Sequence, residues 1–140
     1  MILLDTNVIS EPLKLSADAG VLSWIDAQSI DTLYLSAISL AELRFGIAAL
    51  PAGKRKETLH HGLEQRILPL FADRILPFDA AASQTYAELL WAARAQGKAI
   101  SNADCYIAAI AKRHGFMVAT RDASPFEAAG VTVLNPWTVQ

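Results

Sequence analysis

The sequence predicts an α/β protein of three layers, in which helices cover both faces of a central, mainly parallel sheet of about five strands. Short runs of strand-forming residues alternate along the chain with longer segments of helical periodicity. Strands that are separated by helices pair in parallel beneath those helices. In addition, Asp5 and Asp122 follow apolar runs, and the carboxyl ends of parallel strands are where open α/β sheets bind their ligands.

The predicted strands are short and apolar, and turn or capping residues follow them. The first is Ile2–Leu4, directly before Asp5, and the last ends at Asn135-Pro136. In chain order they cover Ile2–Leu4, 32–36, 74–78, 116–120 and 131–134.

The predicted helices begin at residues that cap helix N-termini well and end near glycine or proline. A helical turn follows Asp5 and ends near Pro12. Residues 54–71 form a long amphipathic pattern that predicts one helix, with a bend near Pro69. The remaining N-caps are predicted at Asp18, Ser39, Asp79 and Ser101, and their helices end at about Gln28, Pro51, Gly97 and Gly115.

Length and composition indicate one domain over residues 1–140 in a reducing compartment, and we expect a cytoplasmic protein. The chain has a single cysteine, Cys105, which cannot form an internal disulfide. Its uninterrupted apolar stretches are far shorter than the roughly 20 residues of a membrane-spanning helix. Asp5 lies where a secretory signal would carry a basic flank and an apolar region.

The charge and hydropathy of the chain bear on its partners. A net charge of −2 is unfavourable for a free-standing nucleic-acid-binding module, whose affinity comes largely from Lys and Arg contacts to phosphates. The chain is 53% hydrophobic, which is high for its size. Because large exposed apolar patches are rare on monomers, we expect part of this surface to lie in a subunit or partner interface.

Four acids are candidate catalytic residues and metal ligands: Asp5, Glu42, Asp104 and Asp122. Each lies near a predicted strand end or helix start, so all four can meet at one edge of the sheet. Carboxylates that share a small site repel one another unless a cation neutralises them. The sequence therefore predicts a Mg²⁺- or Mn²⁺-dependent enzyme that acts on phosphate esters.

Structural roles also account for some of these acids. Asp5 is a suitable N-cap for the turn that follows it, and Asp122 is suitable for shaping a turn. Glu42 lies three residues after Ser39, the spacing of a capping box, and this role and a ligand role remain equally open. Asp104 extends an apolar helical stripe, where an unpaired carboxylate is costly, so a functional role is favoured there.

Small polar residues accompany the acids, and we expect them to orient the carboxylates or a bound water. Short polar residues near helix starts are also normal caps, so we expect a supporting role for them only if the acids themselves form a site. The supporting residues are Thr6, Asn7, Ser39 and Thr120.

Four motifs of the chain resemble those of PIN-domain ribonuclease toxins of the VapC type. They are MILLDTNV at 1–8, SAISLAEL at 36–43, NADCYIAA at 102–109, and VATRD at 118–122 with Phe126 behind it, followed by the terminal NPW at 135–137. The segments DTNVISEPL at 5–13 and ILPLFADRILPFD at 67–79 are most similar to the FitB branch. Together they span essentially the whole chain.

The resemblance implies a PIN fold and a metal-dependent endoribonuclease that is the toxin of a type II toxin–antitoxin pair. It implies a homodimer that is inhibited by a small DNA-binding antitoxin, so that DNA is contacted only through the antitoxin. Asp5, Glu42 and Asp104 would form the acidic triad of the family, supported by Asp122. Some relatives have Asn at the position of Asp122 and an acid shortly before the Phe, where this chain has Ser124-Pro125.

Two further classes of protein share part of this pattern. A haloacid-dehalogenase-like phosphatase also begins with Asp after its first strand, but it needs Asp where Asn7 stands. A phospho-receiver signalling domain would need a lysine after a late strand, roughly where Arg121 stands. Both differences favour the nuclease.

Overall fold

The computed structural model describes residues 1–139 and confirms the predicted fold class. Five parallel strands lie in the order β3-β2-β1-β4-β5. They are β1 (Ile2–Leu4), β2 (Leu33–Ser36), β3 (Ile75–Leu76), β4 (Met117–Ala119) and β5 (Val133–Leu134). The last three are shorter than predicted, since only part of each apolar run is paired. The predicted domain end, Gln140, lies outside the described residues.

The central position of β1 gives the molecule two hydrophobic layers. Side chains alternate between the faces of a strand, so Leu3 packs in one core cluster and Leu4 in the other. In β4, Val118 and Ala119 divide in the same way. Helices therefore cover both faces of the sheet, as the sequence predicted.

Seven α-helices connect the strands within residues 1–139. They are α1 (Thr6–Ser10), α2 (Ala19–Ala27), α3 (Ala37–Ala48), α4 (Lys54–His61), α5 (Ala80–Ala95), α6 (Asn102–His114) and α7 (Ala123–Ala128). No helix in the described chain is long and apolar enough to cross a membrane. Three predicted N-caps are confirmed, because Asp18, Asp79 and Ser101 accept hydrogen bonds from first-turn amides of α2, α5 and α6.

The sequence analysis did not predict α7. Its Pro125 lies in the first turn, where a helix has no intrahelical use for a backbone N–H. In the sequence, Pro125 reads as a helix breaker, but in the first turn of a helix a proline is tolerated.

The predicted start of α3 at Ser39 is wrong. The N-cap is Ser36, whose hydroxyl accepts a 3.0 Å hydrogen bond from the Ser39 amide. A strand ends and a helix begins without a loop at this point, so the cap is the last residue of β2. Ser39 is thus inside the first turn, and the capping box of Ser39 and Glu42 is not formed.

The single helix predicted over 54–71 is also wrong. After α4, the chain continues as a π-helical segment at Gly62–Ile67 and a 3-10 segment at Leu68–Phe71. Pro69 has no N–H to donate to the preceding turn, and the change in helical winding begins before it rather than at it. Such wide turns are rare and are often found at functional sites.

Candidate active site

Asp5 is the buried centre of the candidate site. It follows β1, its side chain is buried, and the residue is 6% exposed. Its Oδ1 accepts a 2.8 Å hydrogen bond from the Thr6 amide, and its Oδ2 accepts a 2.8 Å bond from the Thr120 hydroxyl. Both carboxylate oxygens are thereby fixed at the carboxyl edge of the sheet.

Thr120 joins the ends of β1 and β4. Besides donating to Asp5, its Oγ accepts bonds from the Asp122 amide at 3.1 Å and from Nδ2 of Asn7 at 3.4 Å. The Asn7 side-chain oxygen accepts in turn from the Arg121 amide at 3.3 Å. The expected supporting roles of Asn7 and Thr120 are therefore consistent with the contacts that they make.

Glu42 reaches the same edge from α3. Its Oε1 accepts a 2.7 Å bond from the Thr6 hydroxyl, which lies 3.0 Å from Oγ of Ser39. Ser39 is fully buried, whereas Glu42 is exposed. The side chain of Glu42 therefore turns towards the residue that follows Asp5 instead of back to the start of its own helix.

Asp104 lies in the first turn of α6, with its amide donating to Oγ of Ser101 at 3.2 Å. It is half-buried, while the residues that follow it at 107–111 are all buried. Its negative charge lies near enough to Asp5 to raise the pKa of that carboxyl. The carboxylate thus stands at the exposed end of a helix that otherwise belongs to the core.

Asp122 contacts the site through its backbone. It is exposed, it precedes α7 without making a side-chain cap, and its amide rather than its carboxylate contacts Thr120. Its charge is not among those that raise the pKa of Asp5. The charges of Glu42 and Asp104 therefore act on Asp5, whereas Asp122 meets the site through its amide.

The electrostatics of the site centre on Asp5. The pKa of its carboxyl is raised to about 6, chiefly by burial and in smaller part by the charges of Asp104 and Glu42, against the lowering effect of the bonds from Thr120 and Thr6. The ion pairs within residues 1–139 join Lys14 to Glu11, Arg44 to Glu64 and Arg74 to Asp73, so none neutralises the site. Within residues 1–139, no group of three or more His, Cys, Asp or Glu side chains lies close enough together to hold a metal ion without rearrangement.

Two residues at this edge had no site role in the sequence analysis. The guanidinium of Arg121 lies 5.1 Å from the centre of the Trp137 ring. Both residues stand in segments that the sequence analysis singled out, VATRD and NPW. Their pairing depends on the strand order, because β4 and β5 must be adjacent for the two segments to meet.

Comparison with known proteins agrees with this geometry. Residues 2–131 match the PIN domain family. The chain belongs to the PIN domain family. This membership decides against the phosphatase and phospho-receiver alternatives. The motifs by which the sequence resembled these proteins are thus the ones that carry the site.

Relatives of this PIN domain protein match it over nearly their whole length. The VapC ribonuclease Y4jK of Sinorhizobium fredii is 62% identical, and the alignment covers 98% of each chain. The toxin FitB of Neisseria gonorrhoeae is 56% identical, over 98% of this chain and 99% of FitB. The plasmid stability protein StbB of Pseudomonas syringae pv. tomato is 59% identical, with the same coverage.

Solved structures show the same fold. The crystal structure of FitAcB from Neisseria gonorrhoeae matches with a TM-score of 0.95 and 55% identity, covering 99% of this PIN domain protein and 100% of that chain. The structure of FitAB bound to the IR36 DNA fragment matches with a TM-score of 0.95 and 53% identity, covering 100% and 98%.

Proposed function

We propose that this PIN domain protein is a metal-dependent endoribonuclease and the toxin of a type II toxin–antitoxin pair. The observation that carries the proposal is the buried Asp5 carboxylate, near the charges of Asp104 and Glu42 and unpaired with any cation in residues 1–139. Carboxylates that share a site without an ion-pair partner are unfavourable unless a metal joins them. The names of the VapC and FitB relatives support the ribonuclease and toxin roles.

The donor set fits a hard divalent cation. All the candidate ligands are carboxylate oxygens, which Mg²⁺ and Mn²⁺ prefer over the nitrogen and sulfur ligands of zinc sites. Mg²⁺ in particular is held by one or two carboxylates and retains several waters. A site with Asp5 and Asp104 as direct ligands therefore needs no third side chain in contact with the ion.

The four acids would have different roles in binding the ion. Asp5 and Asp104 would hold the ion, and Glu42 and Asp122 would hold it or its waters. When bound, Mg²⁺ or Mn²⁺ would lower the pKa of a bound water and supply positive charge that stabilises the leaving oxygen of a phosphodiester.

The hydrogen bonds around the acids would fix their geometry during hydrolysis. Thr6 and Thr120 hold the two oxygens of Asp5, so this carboxylate keeps one orientation. The Thr6 hydroxyl holds Oε1 of Glu42 and leaves Oε2 to orient the attacking water. Asn7 ties the β4 end to the β1 end through Thr120 and the Arg121 amide. Rigid placement of this kind lowers the entropic cost of the reaction.

A groove beside α3 is the proposed site for the antitoxin. It has a volume of about 550 Å³, and its walls come from α3, α4 and the π-helical segment. The amphipathic segments Leu40–Leu50 and Leu59–Leu70 of the sequence predict a paired-helix surface for the antitoxin, and each contributes to the groove, through Ile47 and Leu63 among others. Leu43 packs in the core instead. The exposed residues Arg44 and Ala48 and the half-buried Lys56 also line it.

The groove lies on the helix that carries Glu42, so a segment bound there can extend to the acids. A basic side chain of the antitoxin would then donate charge-assisted hydrogen bonds to Asp5, Glu42 and Asp104 and compete with the metal. The structures with the same fold include FitAcB and FitAB, the latter bound to a DNA fragment. We therefore propose an antitoxin partner through which DNA is bound.

Exposed aromatic residues support the proposed homodimer. Trp91 on α5 is 75% exposed and Phe45 on α3 is 74% exposed. Aromatic residues are enriched in the cores of protein interfaces. We propose that these two side chains contribute to the interface that the composition led us to expect.

The proposed activity is tested by incubating purified, antitoxin-free protein with cellular RNA after dialysis against EDTA. We expect no cleavage until Mg²⁺ or Mn²⁺ is added, and 5′- and 3′-end mapping of the products then identifies the cleaved bonds. Undiminished cleavage in the metal-free buffer would contradict the mechanism, and a lack of cleavage with every divalent ion would contradict the function.

A further inference from the structure

Arg121 is built into the edge of the sheet beside the acidic site. Its neighbour Thr120 donates a hydrogen bond to Asp5, and its own amide donates to Asn7. Consecutive Cα atoms are about 3.8 Å apart, so the Arg121 side chain begins next to the residue that fixes the central carboxylate. It is exposed to solvent.

A closed set of contacts holds this arginine. Its carbonyl accepts a 3.4 Å hydrogen bond from Nδ2 of Asn135, and Oδ1 of Asn135 accepts a 2.9 Å bond from the Trp137 amide. The Trp137 ring then lies 5.1 Å from the Arg121 guanidinium, within the range of a cation–π interaction. Trp137 itself packs partly against the core cluster that contains Leu4.

This arrangement fixes the guanidinium without neutralising it. Arg44 and Arg74 each pair with a carboxylate, whereas the three ion pairs found in residues 1–139 do not include Arg121. Stacking on an aromatic ring uses one face of the guanidinium and leaves the N–H groups at its edge to bind an anion. A cation with these properties beside an acidic metal site fits a substrate that is itself an anion.

We propose that Arg121 contacts a phosphate of the RNA strand next to the cleaved bond, and that Trp137 positions it for this contact. The inference deepens the proposed endoribonuclease function and rests on it. The planar guanidinium donates two parallel hydrogen bonds to phosphate oxygens, which a lysine cannot do. In a chain of net charge −2, a basic residue at this edge offsets the repulsion between the acids and the RNA backbone.

The test compares Arg121→Gln with Arg113→Gln as the matched control. Arg113 is also exposed, but it lies near the end of α6, at the opposite edge of the sheet. Both substitutions remove one positive charge, so any general effect of net charge is the same. Binding of a fluorescein-labelled, mixed-sequence single-stranded RNA is measured by anisotropy with Asp104→Asn present in every variant, which prevents cleavage.

We expect Arg121→Gln to weaken binding roughly tenfold and to reduce the slope of log affinity against log salt by about 0.7, the value for one phosphate contact with a single strand. Arg121→Lys should retain the salt slope and recover only part of the affinity. Trp137→Phe should bind close to the parent and Trp137→Leu more weakly. With Asp104 intact, KM for RNA should rise more than kcat falls.

Unchanged affinity and salt slope in Arg121→Gln would overturn the inference, as would an equal loss in Arg113→Gln. Arg121→Gln could also lose affinity together with a lowered melting temperature and show no change in salt slope. That result would give Arg121 a structural role only and would also overturn the inference. If the unaltered protein cleaves RNA in these cases, the proposed function stands. If the unaltered protein neither binds nor cleaves RNA with any divalent ion, both the inference about Arg121 and the proposed endoribonuclease function are overturned.

Discussion

The hydroxyl of Thr120 donates a 2.8 Å hydrogen bond to Oδ2 of Asp5, so the ends of two adjacent strands hold one carboxylate between them. Both residues are buried, and the bond lowers the pKa of Asp5 against the stronger effect of burial. The conformation of the central acid therefore depends on a residue 115 positions away in the sequence.

Thr120→Val removes this donor while nearly preserving the shape of the side chain. We expect the free energy of unfolding to fall by about 1–3 kcal/mol above pH 6, because a buried carboxylate loses a hydrogen bond. RNA cleavage should fall as well, since Asp5 is no longer held. Urea unfolding and cleavage rates measure both effects. Thr120→Ser, which keeps the hydroxyl, is the control, and equal losses in the two variants would contradict the explanation.

Asp5→Asn should stabilise the metal-free protein at neutral pH. The folded pKa of Asp5 is about 6 and the unfolded value is 3.8, so the folded state binds more protons between these values. The unaltered protein should therefore lose stability as the pH rises through this interval, by about 3 kcal/mol from this group.

The stability of Asp5→Asn should lack that part of the pH dependence. Urea unfolding in EDTA at a series of pH values from below 4 to above 6 gives the comparison. Asp31→Asn, at an exposed aspartate outside the site, is the matched control and should follow the unaltered protein. Parallel pH curves for Asp5→Asn and the unaltered protein would show that Asp5 titrates normally.

Asp5→Asn and Asp104→Asn should abolish RNA cleavage and growth inhibition without loss of the fold. If they hold the ion, removing either costs several kcal/mol of transition-state stabilisation, roughly a hundredfold or more in rate. Cleavage assays, growth curves and circular dichroism check the prediction. Wild-type rates in folded Asp104→Asn would remove this residue from the site.

Glu42→Gln should also lower cleavage, whereas Asp122→Asn should have a smaller effect. The Glu42 carboxylate is joined to the site by Thr6, while that of Asp122 is exposed and contacts the site through its backbone. Glu127→Gln, an exposed acid on α7, is the control with no expected change. A larger loss in Asp122→Asn than in Glu42→Gln would reverse our assignment of the two residues.

Ala48→Trp should weaken antitoxin binding and leave RNA cleavage unchanged. Ala48 is exposed and lines the groove beside α3, so a large side chain fills space without disturbing the core. Ala27→Trp on α2 makes the same change away from the groove. Co-purification and calorimetric titration of the two variants with the antitoxin measure the difference. Equal affinities would place the interface elsewhere.

Local sequence patterns predicted the parts of the fold that depend on neighbouring residues. Asp18, Asp79 and Ser101 are caps because a short polar side chain at a helix start accepts from amides a few residues ahead. Ser39 was predicted for the same reason and is wrong, since Ser36 precedes it and the strand ends there. Two serines that lie three residues apart and have similar capping propensity cannot be ranked without knowing where the strand ends.

The acids of the site were visible in the sequence, but their arrangement was not. Asp5, Glu42 and Asp104 were chosen because each lies near a predicted strand end or helix start, from which their side chains can meet at one edge of the sheet. The amide contact of Asp122 with Thr120, and the contact of Arg121 with Trp137, depend on the start of α7 and on the pairing of β4 with β5. These are contacts between segments that are distant in the sequence, and hydrophobic periodicity predicts only local helices and strands.

The pairing of β1 with both β2 and β4 has a consequence for synthesis of the protein. The first strand leaves the ribosome with Asp5 already in place, yet Thr120 is made only when most of the chain has been translated. Long-range parallel pairing of this kind forms late in folding. A nascent or truncated chain that has not reached Thr120 therefore lacks the bond that orients Asp5, and the proposed catalytic centre cannot assemble until β4 has been translated.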